Sequence, residues 1–219
     1  MMEHAGSAET FDESQPLQRE RPDSDVALGH HNQNPAGMSL LALWREDYIT
    51  HGRDLLSQGF WALAVHRFGN WRMGVRFRLL RWPLSFLYKI LYKWVEWTCG
   101  ISLVYTVRVG RRVHIWHQGG MVLVALSIGD EVHLRHNTTF GVRRRNDPRW
   151  MRPTIGDRCD IGAGAVIVGA ITVGHDSVIG ANVVLAEDVP PYSVVIAACP
   201  EVRSRQRSAG IAPSPGAGA

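Results

Sequence analysis

The chain has 219 residues, room for one full domain with appendages, and its 45% apolar and 20% charged content excludes disorder throughout. A formal net charge of +4 is only mildly basic, so its bearing on partners depends on where the charge sits. Cys99, Cys159 and Cys199 lack metal-site spacing and cannot all pair, as expected of a reduced, cytoplasmic protein.

Residues 1–37 are polar and without periodicity, which predicts a disordered leader. The opening "MMEHAGSAETFDESQPLQRERPDSD" has no apolar core of the length a secretory signal needs. Over 38–99 the pattern turns helical, with apolar residues three and four apart in "SLLALWREDYITHGRDLLSQGFWALAVHRFGNWRMGVRF". Pro83 is placed to start or kink the last helix, and Cys99-Gly100 closes the region. Its greasiest part, "RLLRWPLSFLYKILYKWVEW" (78–97), is interrupted by Arg81, Lys89, Lys93 and Glu96, whereas a span needs about 20 mostly apolar residues. Trp and Tyr mixed with Arg and Lys suit either of two roles here. One is packing on the next domain or another subunit, and the other is contact with a membrane surface, which leaves a peripheral location open.

After residue 100 hexapeptide repeats take over. Aliphatic residues fall at 155, 161, 167, 173, 179 and 185 without a slip, usually followed by a small residue. An earlier set starts at 109, 115 and 121, the last one residue longer, and resumes at 128 and 134. Each hexapeptide makes a short strand and a turn, and three make one triangular coil with its aliphatics inward. One coil cannot bury its own apolar side, so stacking supplies the core. The repeat domain is placed at 100–203, with a loop at 141–153 and a disordered tail at 204–219.

Grouped in threes, the repeats align the third residue of each middle hexapeptide: His117, His136, Ala163 and Ala181. Two histidines followed by two alanines, beside Gly162 and Gly164, describe a base at the end of an edge that can take a thin, extended ligand. Core packing is the other reading of His117. His114/His117 and His133/His136 are both spaced H-x-x-H, and imidazole suits zinc, but each pair alternates faces, so no metal is expected within one chain. The loop "GVRRRNDPRWMRP" holds Arg143, Arg144, Arg145, Arg149 and Arg152, suited to phosphates or an anionic acceptor, or simply solvated. Sparse aromatic interleaving and otherwise mixed charge argue against nucleic acid.

These motifs resemble the hexapeptide-repeat acyltransferases, whose fold is a left-handed parallel β-helix preceded by a helical N-terminal region. Within them, "WHQGGMVL", "IGDEVHLRHNTTFG" and "PTIGDRCDIGAGAVIVGAITVGHDSVIGANVVLAEDVPPYS" are similar to serine O-acetyltransferase and its relatives in surface-polysaccharide biosynthesis. The resemblance implies an acetyl-CoA-dependent O-acetyltransferase with His117 as general base. It places the cofactor along Ala163, Gly164 and Ala181, with a backbone amide near Gly141; the charge of Arg143, Arg144 and Arg145 suits the cofactor's phosphates. It also implies a homotrimer or a dimer of trimers, with the site between subunits. Three matches fail: the aspartate that orients the base is Ser102, the one that precedes it is Trp116, and a second active-site histidine falls on Arg152 or its neighbours. The tail ends in Ala219, not in the isoleucine that docks such enzymes on cysteine synthase, so no such docking is expected. The acceptor is then L-serine or a sugar precursor bound by Trp116, His136 and Arg152. A carbonic-anhydrase-like zinc β-helix and a non-catalytic, membrane-associated β-helix are the alternatives.

Overall fold

The computed structural model describes residues 29–117 and 119–198. The leader up to residue 28 and the tail expected at 204–219 lie outside the described residues. Positions 29–37 form no helix or strand but are held in place. Asn34 donates to the Arg67 carbonyl (2.9 Å), and the backbone N–H of Gln33 donates to Asn70 (3.2 Å).

Three helices come first: α1 (Leu40–Thr50), α2 (Gln58–Trp71) and α3 (Arg78–Cys99). Ser39 caps α1 by accepting from the Ala42 N–H, and Gly100, at φ 64°, ends α3 in the left-handed conformation a glycine adopts without strain. Pro83 lies inside α3, not at its start. One buried ion pair joins helices to coil. Arg67 of α2 donates to Asp47 of α1 (3.1 Å) and to the carbonyls of Val109 (2.7 Å) and Gly110 (2.5 Å). Burial pushes the Asp47 carboxyl up while the guanidinium pulls it down. A second tie, on the surface, runs from Glu46 to Arg111 (2.9 Å) and Arg112 (3.2 Å).

The rest is a parallel β-solenoid of three sheets. Sheet A holds β1 (Ile101–Ser102), β4 (Met121–Leu123), β7 (Thr139–Gly141), β10 (Val166–Val168) and β13 (Val184–Leu185). Sheet B holds β2 (Arg108–Val109), β5 (Ser127–Ile128), β8 (Thr154–Ile155) and β11 (Thr172–Val173). Sheet C holds β3 (His114–Trp116), β6 (His133–Arg135), β9 (Asp160–Ile161), β12 (Val178–Ile179) and β14 (Val194–Val195). The first four coils run A, B, C, the fifth has only a Val189–Val173 bridge on its B side, and the inward aliphatics stack. In sheet C the column is Ile115, Leu134, Ile161, Ile179 and Val195.

One repeat departs from the expected register. Leu123, not Met121, stacks on Phe140, so the corner between Ile115 and sheet A is two residues longer than the hexapeptide spacing gives. Both side chains are buried, which is why apolar spacing alone chose the wrong one. The loop adds nine residues: 27 separate the paired Ile128 and Ile155, against 18 between Ile155 and Val173.

The small residue after each aliphatic is fixed by stacking. A Cβ on Gly129 would lie 2.6 Å from the Gly156 carbonyl carbon, and one on Gly162 would lie 2.5 Å from the Ala181 nitrogen. The aspartates that follow two of these glycines tie coil to coil, since Asp130 accepts from the Arg111 N–H (2.8 Å) and Asp157 from the Asp130 N–H (2.8 Å).

Candidate active site

The corner between sheets C and A carries the histidines. The pairing of Trp116 with Arg135 brings His117 beside His136 in the next coil. His117 is exposed, its backbone is left-handed at φ 48°, and its ring meets His136 edge-on at 6.1 Å between centroids. The long corner explains this exposure. The N–H of Asn137 donates to the Gly119 carbonyl (3.0 Å), while one coil further on Gly164 donates to the His136 carbonyl (3.0 Å). Gly119 thus takes the hydrogen-bonding place that His136 holds one coil on, so the corner is two residues longer after Trp116. The Nδ1 atom of His136 is buried and has no partner among the described residues. Ala163, Gly164 and Ala181 continue this corner, where Gly164 (φ 72°) takes the left-handed turn position that Asn137 (φ 59°) and Asn182 (φ 57°) fill in the neighbouring coils.

Gly141 and the nominated arginines of the loop stand at the opposite edge of sheet A. Gly141 ends β7 and has open space where a side chain would be. Arg143, Arg144 and Arg145 follow it at the head of the loop, and the Arg144 N–H donates to Asp147 (2.7 Å). Arg152 is nearly buried at the loop's end, its guanidinium 3.4 Å from the Thr106 hydroxyl, and does not reach the histidine corner. From His136 to Arg143 is seven residues, roughly 20 Å of extended chain. Between the two edges the outward side chains of sheet A are Ser102, Val122, Thr139, Val166 and Val184. This column of three valines, a serine and a threonine runs along the solenoid axis between the histidine corner and the arginine loop.

Sequence reasoning misses three features, all of which arise from long-range contacts. First, Ser102 bonds to Tyr92 of α3 (2.8 Å) and not to His117. Second, Trp116 stacks on His114 at 3.8 Å, and its indole N–H donates to Nδ1 of His133 (2.8 Å). With the Arg135–Asp160 ion pair below them, they form an aromatic and polar shelf on sheet C beside His117. Third, the helices back this shelf. His51, just after α1, lies 4.7 Å from His114 and accepts from the Ile115 N–H (3.2 Å), while its Nδ1 donates to the Asp47 carbonyl (2.8 Å). Both ring nitrogens are thereby assigned and the ring is neutral. Among the described residues no three His, Cys, Asp or Glu side chains are grouped to hold a metal ion.

Burial holds His51 below the usual imidazole range and pushes His114 down to about 4, with His51 and His133 adding to the effect. Burial and the neighbouring Arg67 push His66, bonded to the Val107 carbonyl (2.9 Å), down to about 3. The unfolded chain titrates these rings near 6.5, so it binds more protons than the folded chain below that pH. Their stability contribution is therefore complete above about 6.5 and lost as pH falls toward 4. We expect Tm to be flat from pH 8 to 7 and to drop by several degrees between 6.5 and 4.5. A flat Tm down to 5 would contradict this.

Comparison with known proteins accords with the geometry. No family model matches the chain. The serine acetyltransferase of Mycobacterium tuberculosis is 34% identical over 159 residues, covering 72% of this chain and 64% of that protein. The serine acetyltransferase of Helicobacter pylori is 32% identical over 154 residues, covering 70% of this chain and 85% of that protein. This chain belongs to the serine acetyltransferase family. The soybean serine acetyltransferase apoenzyme superposes with a TM-score of 0.59 at 27% identity, covering 71% of this chain and 65% of that one. The Neisseria gonorrhoeae serine acetyltransferase in complex with serine gives 0.58 at 26% identity, covering 78% and 70%. Measured against serine acetyltransferases of this kind, the match spans just under two thirds of the Mycobacterium protein and most of the Helicobacter one.

Proposed function

We propose that the protein is an O-acetyltransferase that moves the acetyl group of acetyl-CoA directly onto the hydroxyl of L-serine. The observation that carries this reading is the corner between sheets C and A, where the exposed His117 heads an edge of small residues, Ala163, Gly164 and Ala181. The thioester end of the donor lies at His117, its pantetheine arm along the small-residue corner of Ala163, Gly164 and Ala181, and its phosphates at Arg143, Arg144 and Arg145. His117 takes the acceptor's hydroxyl proton as the oxygen attacks the thioester carbonyl. The tetrahedral oxyanion is held by a backbone N–H, after which the C–S bond breaks and the proton returns from His117 to the departing thiolate.

Gly141 and His117 stand on opposite edges of one sheet, so one chain does not place both at a single thioester. A neighbouring copy supplies the missing edge, Gly141 and the arginine loop together, which is the physical case for a homo-oligomer. Ring orientation at His117 falls to the corner backbone and to His136, because the Ser102 hydroxyl is taken by Tyr92.

A second acceptor class is favoured by one observation. Trp116, 39% exposed on the shelf beside His117, occupies a position where an aspartate would suit an amino-acid ammonium group. That substitution suits a sugar hydroxyl of a surface-polysaccharide precursor, although one indole face is already covered by His114. The test incubates acetyl-CoA with L-serine, sugars and nucleotide sugars together and finds by mass spectrometry which acceptor gains an acetyl group. Acetylserine is the expected product. An acetylated sugar with unmodified serine would transfer the shelf to glycan recognition.

A further inference from the structure

α3 carries two apolar faces, and the fold uses only one. Tyr88, Val95 and Cys99 are buried against the solenoid and its neighbours. At 3.6 residues per turn the opposite side of the same helix presents Leu79, Trp82, Phe86, Ile90 and Trp97. All five are exposed, Leu79 (92%), Trp97 (80%) and Trp82 (76%) most, Phe86 (62%) and Ile90 (51%) less. The patch widens at one end, because Trp61 packs edge-on against Trp94 (5.9 Å) and donates to the Leu55 carbonyl (2.8 Å), beside the exposed Leu56. No described helix is long and apolar enough to cross a membrane.

The charges around this face select its occupant. α3 contains Arg78, Arg81, Lys89 and Lys93 but a single acid, Glu96, and that acid is bonded to Lys93 and to Tyr92. Lys89 borders the apolar stripe and Lys93 sits within it, between Ile90 and Trp97. A second copy of α3 docked on it would bring cations toward cations with no acid to receive them. An anionic lipid surface meets both features, since the stripe enters the acyl boundary while the cationic side chains reach headgroup phosphates. We infer that the outward face of α3 is a docking surface for an anionic membrane, lying in the plane of the interface. This surface is independent of acetyl transfer, and its test does not use activity.

The experiment is flotation of the full chain with vesicles of phosphatidylcholine alone or mixed with phosphatidylglycerol, at low and high salt, with light scattering of the lipid-free protein. We expect at least tenfold stronger binding to the anionic vesicles, weakened by salt. The pair Phe86→Ser with Ile90→Ser and the pair Lys89→Glu with Lys93→Glu should each reduce that binding about tenfold, with unchanged melting by circular dichroism. Absence of binding to anionic vesicles, or equal binding by either variant pair, overturns the proposal. So does a fall in assembly mass for the Phe86/Ile90 pair without vesicle binding by the wild type, which would assign the face to a second copy.

Discussion

Replacing His117 by Ala is expected to lower kcat for acetyl transfer by about a hundred- to ten-thousand-fold, the usual worth of a general base, with KM for acetyl-CoA within about twofold. At 1.36 kcal/mol per decade this is roughly 3–5 kcal/mol of barrier. The fold should survive the substitution, because the ring is exposed on a lengthened corner and packs nothing inside the solenoid. Circular dichroism and steady-state thiol release on the same preparation check both halves. A variant keeping more than a tenth of wild-type kcat would mean that His117 is not the base. The neighbouring His136, with its unpartnered Nδ1, would then be the next residue to replace.

The largest stability effect is expected at Arg67. Its guanidinium is fully buried and serves Asp47 together with the Val109 and Gly110 carbonyls. Arg67→Met leaves a buried carboxylate uncompensated, a change that costs about 3–5 kcal/mol. Against a typical total of about 5–15 kcal/mol, that is a large share. Urea unfolding should show the midpoint falling sharply in the single variant. The double variant Arg67→Met with Asp47→Leu should recover most of the loss, since the two residues form one unit. A single variant within about 1 kcal/mol of wild type would contradict the pair's role. The effect extends to the site, because α1 and the following His51 back β3, the strand that delivers His117.

The coil was legible in the sequence wherever one residue type serves one position. The six-residue aliphatic spacing from Ile155 onward matches the observed columns, because each inward side chain stacks on its counterpart in the next coil. Register failed only where two apolar side chains, Met121 and Leu123, are both buried and a corner is lengthened. The clustering of His117 with His136 followed from the same arithmetic. The placement of Gly141 and the arginine loop on the far edge of sheet A did not, since spacing does not say which corner a loop leaves. The Tyr92–Ser102 bond and the His51–His114–Trp116–His133 shelf have no local signal at all. They depend on how helices dock on the solenoid, which Arg67 and Glu46 decide through backbone carbonyls and surface arginines.

The most direct measurement is thiol release from acetyl-CoA by the full chain with L-serine as sole acceptor, followed beside a reaction without acceptor. The predicted result is serine-dependent release, with one acetylserine formed for each coenzyme A freed. No serine-dependent release, together with no binding of acetyl-CoA, would contradict the assignment of the histidine corner as an acetyl-transfer site.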